Sequence, residues 1–168
     1  MALQYKSMIR RLYICLFSLL LLASCSVDKY IPKNEFLLNK NIYVIEQDSL
    51  SEEEYKIVSS ALSSAPEYAQ QLPNNRLLGM RLGMRFYCLS NPDKDNWLNN
   101  IIRKQGSAPV IFDRASVDAT ALQLKLLLET KGCFKSEVEY KTDTIKDNRI
   151  NVIYQIYPSP RYVIDSVS

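Results

Sequence analysis

Few side chains in this 168-residue sequence could act as nucleophiles or soft metal ligands: Cys15, Cys25, Cys88 and Cys133, with no histidine anywhere. Without imidazole the chain lacks the commonest general base and the commonest metal ligand. No cysteine spacing matches a zinc cluster. Serine, lysine and carboxylate chemistry remain, but there is no G-x-S-x-G elbow, no S-x-x-K in a supporting context and no glycine-rich phosphate loop. The run Ser51-Glu52-Glu53-Glu54 gathers three carboxylates. Neighbours in sequence do not converge on one point, and the pattern reads instead as a capping box, with Ser51 at the helix N-cap and Glu54 at N3. The residue types therefore point away from bond making. No cofactor, metal or small-molecule substrate is expected.

Cys25 has the most distinctive surroundings. Lys6, Arg10 and Arg11 form a basic stretch without acids, and Leu12 to Leu22 is apolar except for Ser18. That run falls short of the ~20 residues that span a bilayer and fits the apolar core of an export signal. It ends in Leu22-Ala23-Ser24-Cys25, which resembles a bacterial lipobox, where the cysteine is acylated and becomes the first mature residue. An ordinary secretory signal that happens to hold a cysteine, or an uncleaved anchor, is the alternative. Acyl chains supply ~0.8 kcal/mol per buried methylene, so several of them hold a domain stably on a membrane. Ser26, which is not Asp, implies the outer membrane by resemblance to lipoprotein sorting, with the domain in the periplasm. Loss of residues 1–24 leaves 18 basic and 18 acidic residues. Nucleic acid is then a poor partner, because no basic excess remains to displace counterions. Cys88 and Cys133 either pair or stay as buried free thiols, and the thiol state is favoured.

The elements that follow are organised around Ser116 to Tyr157. Ser116 is expected as the N-cap of a helix carrying Val117, Ala121, Leu124 and Leu128, ended by Gly132 in a left-handed cap. The period then changes to two. Phe134, Ser136, Val138, Tyr140 and Thr142 alternate with Lys135, Glu137, Glu139, Lys141 and Asp143; after a break at 144–148, Ile150, Val152, Tyr154 and Ile156 alternate again. The first strand bears charge along one face, as sheet edges do. Its successor is apolar enough to be central, and the two are expected to form a hairpin.

Upstream, 25–36 is a tether and Leu37-Leu38 opens the fold. Asn41 to Glu46 reads as a strand, and a helix runs from the Ser51 cap to about Ser63 with Tyr55, Val58 and Leu62 on one face. Arg76 to Ser90 fits both a strand alternation and a helical stripe; its length and its lack of Val, Ile and Thr favour helix, with Gly79 and Gly83 allowing close approach to a neighbour. Asn96 to Gln105 is a short amphipathic helix ended by Gly106. The stretch 74–106 has net charge +4. Arg76, Arg81, Arg85, Arg103 and Lys104 are a possible partner face for acidic groups or lipid headgroups, or for a protein partner docked through 76–105 by a stand-alone envelope lipoprotein scaffold; a plain solvated surface is the alternative.

The fold class expected is α+β, a βααββ order with a three-stranded mixed sheet, two main helices on one face and a helical insert at about 74–112. With the segments Tyr30-Ile31-Pro32, Glu35 to Lys40, Pro73 to Gly79, Tyr87 to Pro92, Pro109 to Asp113 and Lys131-Gly132-Cys133-Phe134, the chain resembles the POTRA portion of BamA/TamA-like outer-membrane assembly lipoproteins of Bacteroidetes type. Cys133 stands where a Tyr is usual in that family. The resemblance implies a POTRA-like domain over 37–160 and, at 161–168, the first strand of a truncated second POTRA. No barrel strands are expected within these 168 residues, so a barrel-based activity is not carried over from the resemblance. It also implies binding of unfolded outer-membrane β-barrel precursors and other assembly proteins. The expected binding edge is Phe134, Lys135, Ser136, Glu137, Val138, Glu139 and Tyr140, by strand addition. Proline at Glu137 or Glu139 is expected to weaken peptide binding while leaving the fold mostly intact.

Overall fold

The computed structural model describes residues 9–13, 27–46, 50–146 and 148–162. Cys25 and residues 163–168 lie outside these. No helix among the described residues is long and apolar enough to cross a membrane. The elements are, in order, β1 (Leu37–Ile45), α1 (Glu52–Leu62), α2 (Ala65–Tyr68), α3 (Leu82–Tyr87), α4 (Trp97–Gln105), α5 (Arg114–Thr130), β2 (Glu137–Ile145) and β3 (Arg149–Tyr157), preceded by a 3-10 turn at Asp28–Tyr30. They fall into two compact units, Asn34–Pro73 with Val110–Ser168, and Met1–Lys33 with Asn74–Pro109.

The first unit is α+β with a three-stranded mixed sheet in the order β1-β3-β2, β3 lying parallel to β1 and antiparallel to β2. The alternation in β3 decides which face is covered: Ile150, Val152, Tyr154 and Ile156 are buried, and the residues between them are half-buried. Helices α1 and α5 lie over that face, and Val58, Leu62, Val117, Leu124 and Leu128 join Leu38, Val152, Tyr154 and Ile156 in one core. Each such side chain contributes about 1.5–3 kcal/mol by leaving water.

Local chemistry explains where the elements begin and end. The capping box at α1 forms as its sequence predicts, with Glu54 N–H donating to Ser51 Oγ and Ser51 N–H to Glu54 Oε2 (3.3 and 3.0 Å). Helix α5 starts earlier than expected. Asp113, not Ser116, is the N-cap, its carboxylate accepting from the N–H groups of Ala115 and Ser116 at 3.3 and 3.0 Å. A carboxylate at the positive end of the helix dipole is a stronger acceptor than a hydroxyl, and the Ser116 hydrogen bonds hold Asp113 below the usual carboxylate range. At the other end Gly132 has φ +92°, with Gly132 N–H to Glu129 O and Cys133 N–H to Leu128 O at 3.0 and 3.1 Å. These two bonds make a Schellman cap and aim the chain into β2.

Strand β1 begins at Leu37 rather than Asn41, because a bulge at Asn39 breaks the alternation. Strand β2 begins at Glu137 and runs to Ile145, so only three residues, 146–148, separate it from β3, with Asn148 at φ +49°. Cys88 and Cys133 are both buried and are not bonded to one another.

In the second unit, 76–90 is not one helix. Leu77 and Met80 exchange backbone hydrogen bonds (2.8 and 3.0 Å) around Leu78 and Gly79 at φ +50° and +77°, a primed turn, and helix begins only at Leu82. Gly79 has open space around it, so backbone conformation explains it, not the expected close approach; Gly83 does face Ser107 closely. Helix α4 runs from the Asn96 cap to Gly106 as predicted. A Cβ on Gly106 would stand 2.6 Å from Tyr87 Cα, so only glycine fits there. Tether residues belong to this unit: Tyr30 packs edge-on against Tyr87 at 5.2 Å and donates to Ser90 O at 2.8 Å, and Lys29 Nζ donates to the same carbonyl at 2.7 Å.

Candidate polypeptide-binding edge

Strand β2 ends the sheet, and the direction of each of its backbone groups follows from the ladder. Glu46 N–H donates to Ile156 O at 2.9 Å, and Leu37 N–H to Asn148 O at 2.8 Å. Even-numbered residues of β3 therefore turn their backbone groups toward β1, and odd-numbered ones toward β2, since successive residues in a strand alternate. The register pairs Glu137 with Tyr157, Glu139 with Gln155, Lys141 with Ile153 and Asp143 with Asn151. These odd residues of β2 are bonded inside the sheet. Val138, Tyr140, Thr142 and Thr144 direct their N–H and C=O groups out of the edge, at about 7 Å intervals.

Side chains alternate out of phase with this. Val138 and Tyr140 pack against the core, while Glu137, Glu139, Lys141 and Asp143 stand on the other face. There Asn151 Nδ2 donates to Asp143 Oδ2 (3.3 Å) and Asn39 Nδ2 to Asn151 Oδ1 (2.6 Å), so a polar chain crosses all three strands. On the core face Tyr43, Tyr154 and Tyr140 form a row, with ring centroids 5.4 and 6.4 Å apart. Burial pushes the Tyr154 phenol up to about 12, and burial with the Asp118 interaction raises Tyr140.

Of the seven residues expected at the edge, three lie elsewhere. Phe134 and Lys135 form a turn, and Ser136 precedes the strand. Phe134 packs on Tyr162 (5.9 Å), Lys135 N–H donates to Ser159 Oγ (3.1 Å), and buried Ser136 Oγ accepts from Ser159 N–H (3.1 Å). The segment 159–162 thus flanks 134–136, and the open edge begins at Glu137. It also extends to Thr144, past the expected end at Tyr140. The opposite edge of the sheet is shorter. Its start is covered, with Leu38 N–H on Val110 O and Phe112 N–H on Phe36 O (both 2.8 Å), which leaves Asn41, Tyr43 and Ile45 facing outward.

The five basic residues expected to share a partner face do not form one. Arg81 is buried. Arg103 spans the loop before α4, donating to the carbonyls of Asn91, Pro92 and Lys94. Arg76 and Lys104 are exposed and Arg85 half-buried. Charge counting along the sequence cannot separate an arginine that braces a loop from one that meets solvent.

A mixed three-stranded sheet under two helices, with one long edge left unpaired among the described residues, defines the class of this unit. No family model, curated protein or solved structure matches the chain.

Proposed function

We propose that this chain is a lipid-anchored, POTRA-like module of the bacterial cell envelope, held on the outer membrane through Cys25. Its sheet unit binds extended polypeptides by adding them to β2, and it carries out no catalysis. The observation that supports this reading is the β2 edge, where Val138, Tyr140, Thr142 and Thr144 offer eight backbone hydrogen-bonding groups in the spacing of a strand. Backbone pairing gives affinity with little demand on sequence, which suits clients such as unfolded outer-membrane barrel precursors or partners in their assembly.

Residue-resolved amide exchange tests the reading. In the free protein the amides of Glu139, Lys141 and Asp143 exchange slowly and those of Tyr140, Thr142 and Thr144 fast. An added peptide from a barrel strand should slow the second set alone. Binding without new protection at these amides refutes the edge as the site.

A further inference from the structure

Helix α4 is inside out. Its buried face carries Asn99, which accepts from Asn91 N–H (3.0 Å) and donates to Lys94 O (3.1 Å). Trp97, Leu98 and Ile101, within about 100° of its circumference, are exposed, Trp97 by 74%. The same unit projects a second apolar group at the Leu77–Met80 turn, where Leu78 is 88% exposed. Its φ of +50° is costly for a branched side chain. The Trp97, Leu98 and Ile101 stripe, contiguous on one helix, is the kind of exposed apolar surface that marks an interaction site.

Charge and chain connectivity say which partner. Residues 27–33 and 74–109 hold eight Lys and Arg against three Asp and Glu, whereas 34–73 and 110–168 hold ten against fifteen. The basic excess of a mature chain that is neutral overall is thus confined to this unit. The Tyr30 and Lys29 contacts to Ser90 and Tyr87 fasten the tether to it. Tyr30 follows Cys25 by five positions, a reach of at most about 18 Å.

We propose that the unit formed by 27–33 and 74–109 docks on the bilayer that holds the chain, with Trp97, Leu98, Ile101 and Leu78 entering the interface and Arg85 and Lys104 meeting anionic headgroups. Tryptophan and leucine with flanking basic residues are the composition of interfacial helices. The proposal rests on the reading of Cys25 as acylated.

Trp97 is the only tryptophan and reports its own surroundings. The intact chain, produced in a host that acylates lipoproteins, is reconstituted in phosphatidylethanolamine vesicles containing phosphatidylglycerol and a lipid brominated near the headgroup. Expected are a blue-shifted Trp97 emission, quenching by the bromolipid, and loss of both in the Leu78→Glu/Ile101→Glu variant. Replacing Arg85 and Lys104 by Gln should weaken docking about twenty-five-fold, at roughly fivefold per basic side chain on an anionic surface.

Trp97 left open to aqueous iodide, with the mass of the N-terminal peptide showing acylated Cys25, overturns docking and leaves the anchor standing. Trp97 shielded from iodide but unquenched by bromolipid means that this chain or a second copy of it covers the face, which also overturns docking. If Cys25 carries no acyl chain, the anchor reading fails, and quenching on addition to preformed vesicles then upholds or refutes the docking surface.

Discussion

Proline scanning of β2 gives opposite outcomes at neighbouring positions. At Glu139 the backbone N–H points into the ladder toward Gln155. Proline there deletes that donor and leaves a carbonyl of β3 unpaired inside the sheet, at a cost of about 1–3 kcal/mol, before the ring's clash with β3 is counted. At Thr142 the N–H points out of the edge and the side chain is exposed. Proline there removes no ladder bond, so the fold should lose about 1 kcal/mol or less, mainly from fixing φ. For an added strand the order reverses. Thr142→Pro removes one of the offered donors and sets a ring where the client must lie, lowering affinity about tenfold or more at ~1 kcal/mol per bond plus the clash. Thermal unfolding followed by circular dichroism and peptide binding followed by fluorescence anisotropy read the two quantities separately. Two results would refute the reasoning: a Glu139→Pro protein as stable as the parent, or a Thr142→Pro protein that binds peptide as well. The expectation that proline at Glu137 or Glu139 spares the fold is reversed by this parity.

Two further outcomes follow from the core. Tyr154 ionises only at about pH 12 in the folded protein, against about 10 unfolded. Its contribution is complete below pH 10 and declines as pH rises through 12, by up to about 3 kcal/mol. Alkaline unfolding in that window, followed by circular dichroism and tyrosinate absorbance, should be largely removed in Tyr154→Phe. Gly132→Ala forces a side chain to φ +92° and sets its Cβ 3.1 Å from Tyr162 O; denaturant titration should show a loss of about 1–3 kcal/mol.

The sheet unit was legible because its patterns are local. Period-two alternation at Ile150–Ile156, the Ser51/Glu54 capping box and Gly132 after a leucine stripe each specify one conformation with little help from the rest of the chain. The insert was less legible. Leu78, Leu82 and Phe86 fit a helical stripe, but the left-handed pair Leu78-Gly79 breaks the run, and a leucine gives no warning of positive φ. The amphipathic pattern of 96–105 does not say that Trp97, Leu98 and Ile101 are exposed, since hydropathy reports what a side chain favours and not which side of a helix is covered. The edge itself was placed three residues early because Phe134 and Ser136 continue the alternation of β2. Only the hydrogen bonds of Ser159 show that the strand has not yet begun. The direction of individual amides has no counterpart in side-chain pattern and required the ladder.

The two flanks of the β2 slot differ in a way that grades what enters it. A segment laid along the rim would set alternate side chains beside Glu139, Lys141 and Asp143 on one flank. The intervening side chains would fall beside Val138 and Tyr140, under α5. Stretches whose polar and greasy residues take turns satisfy both flanks together, whereas uniformly charged or uniformly apolar stretches satisfy one and offend the other. The sheet thereby favours chains that are themselves destined to be amphipathic strands, without reading any particular sequence.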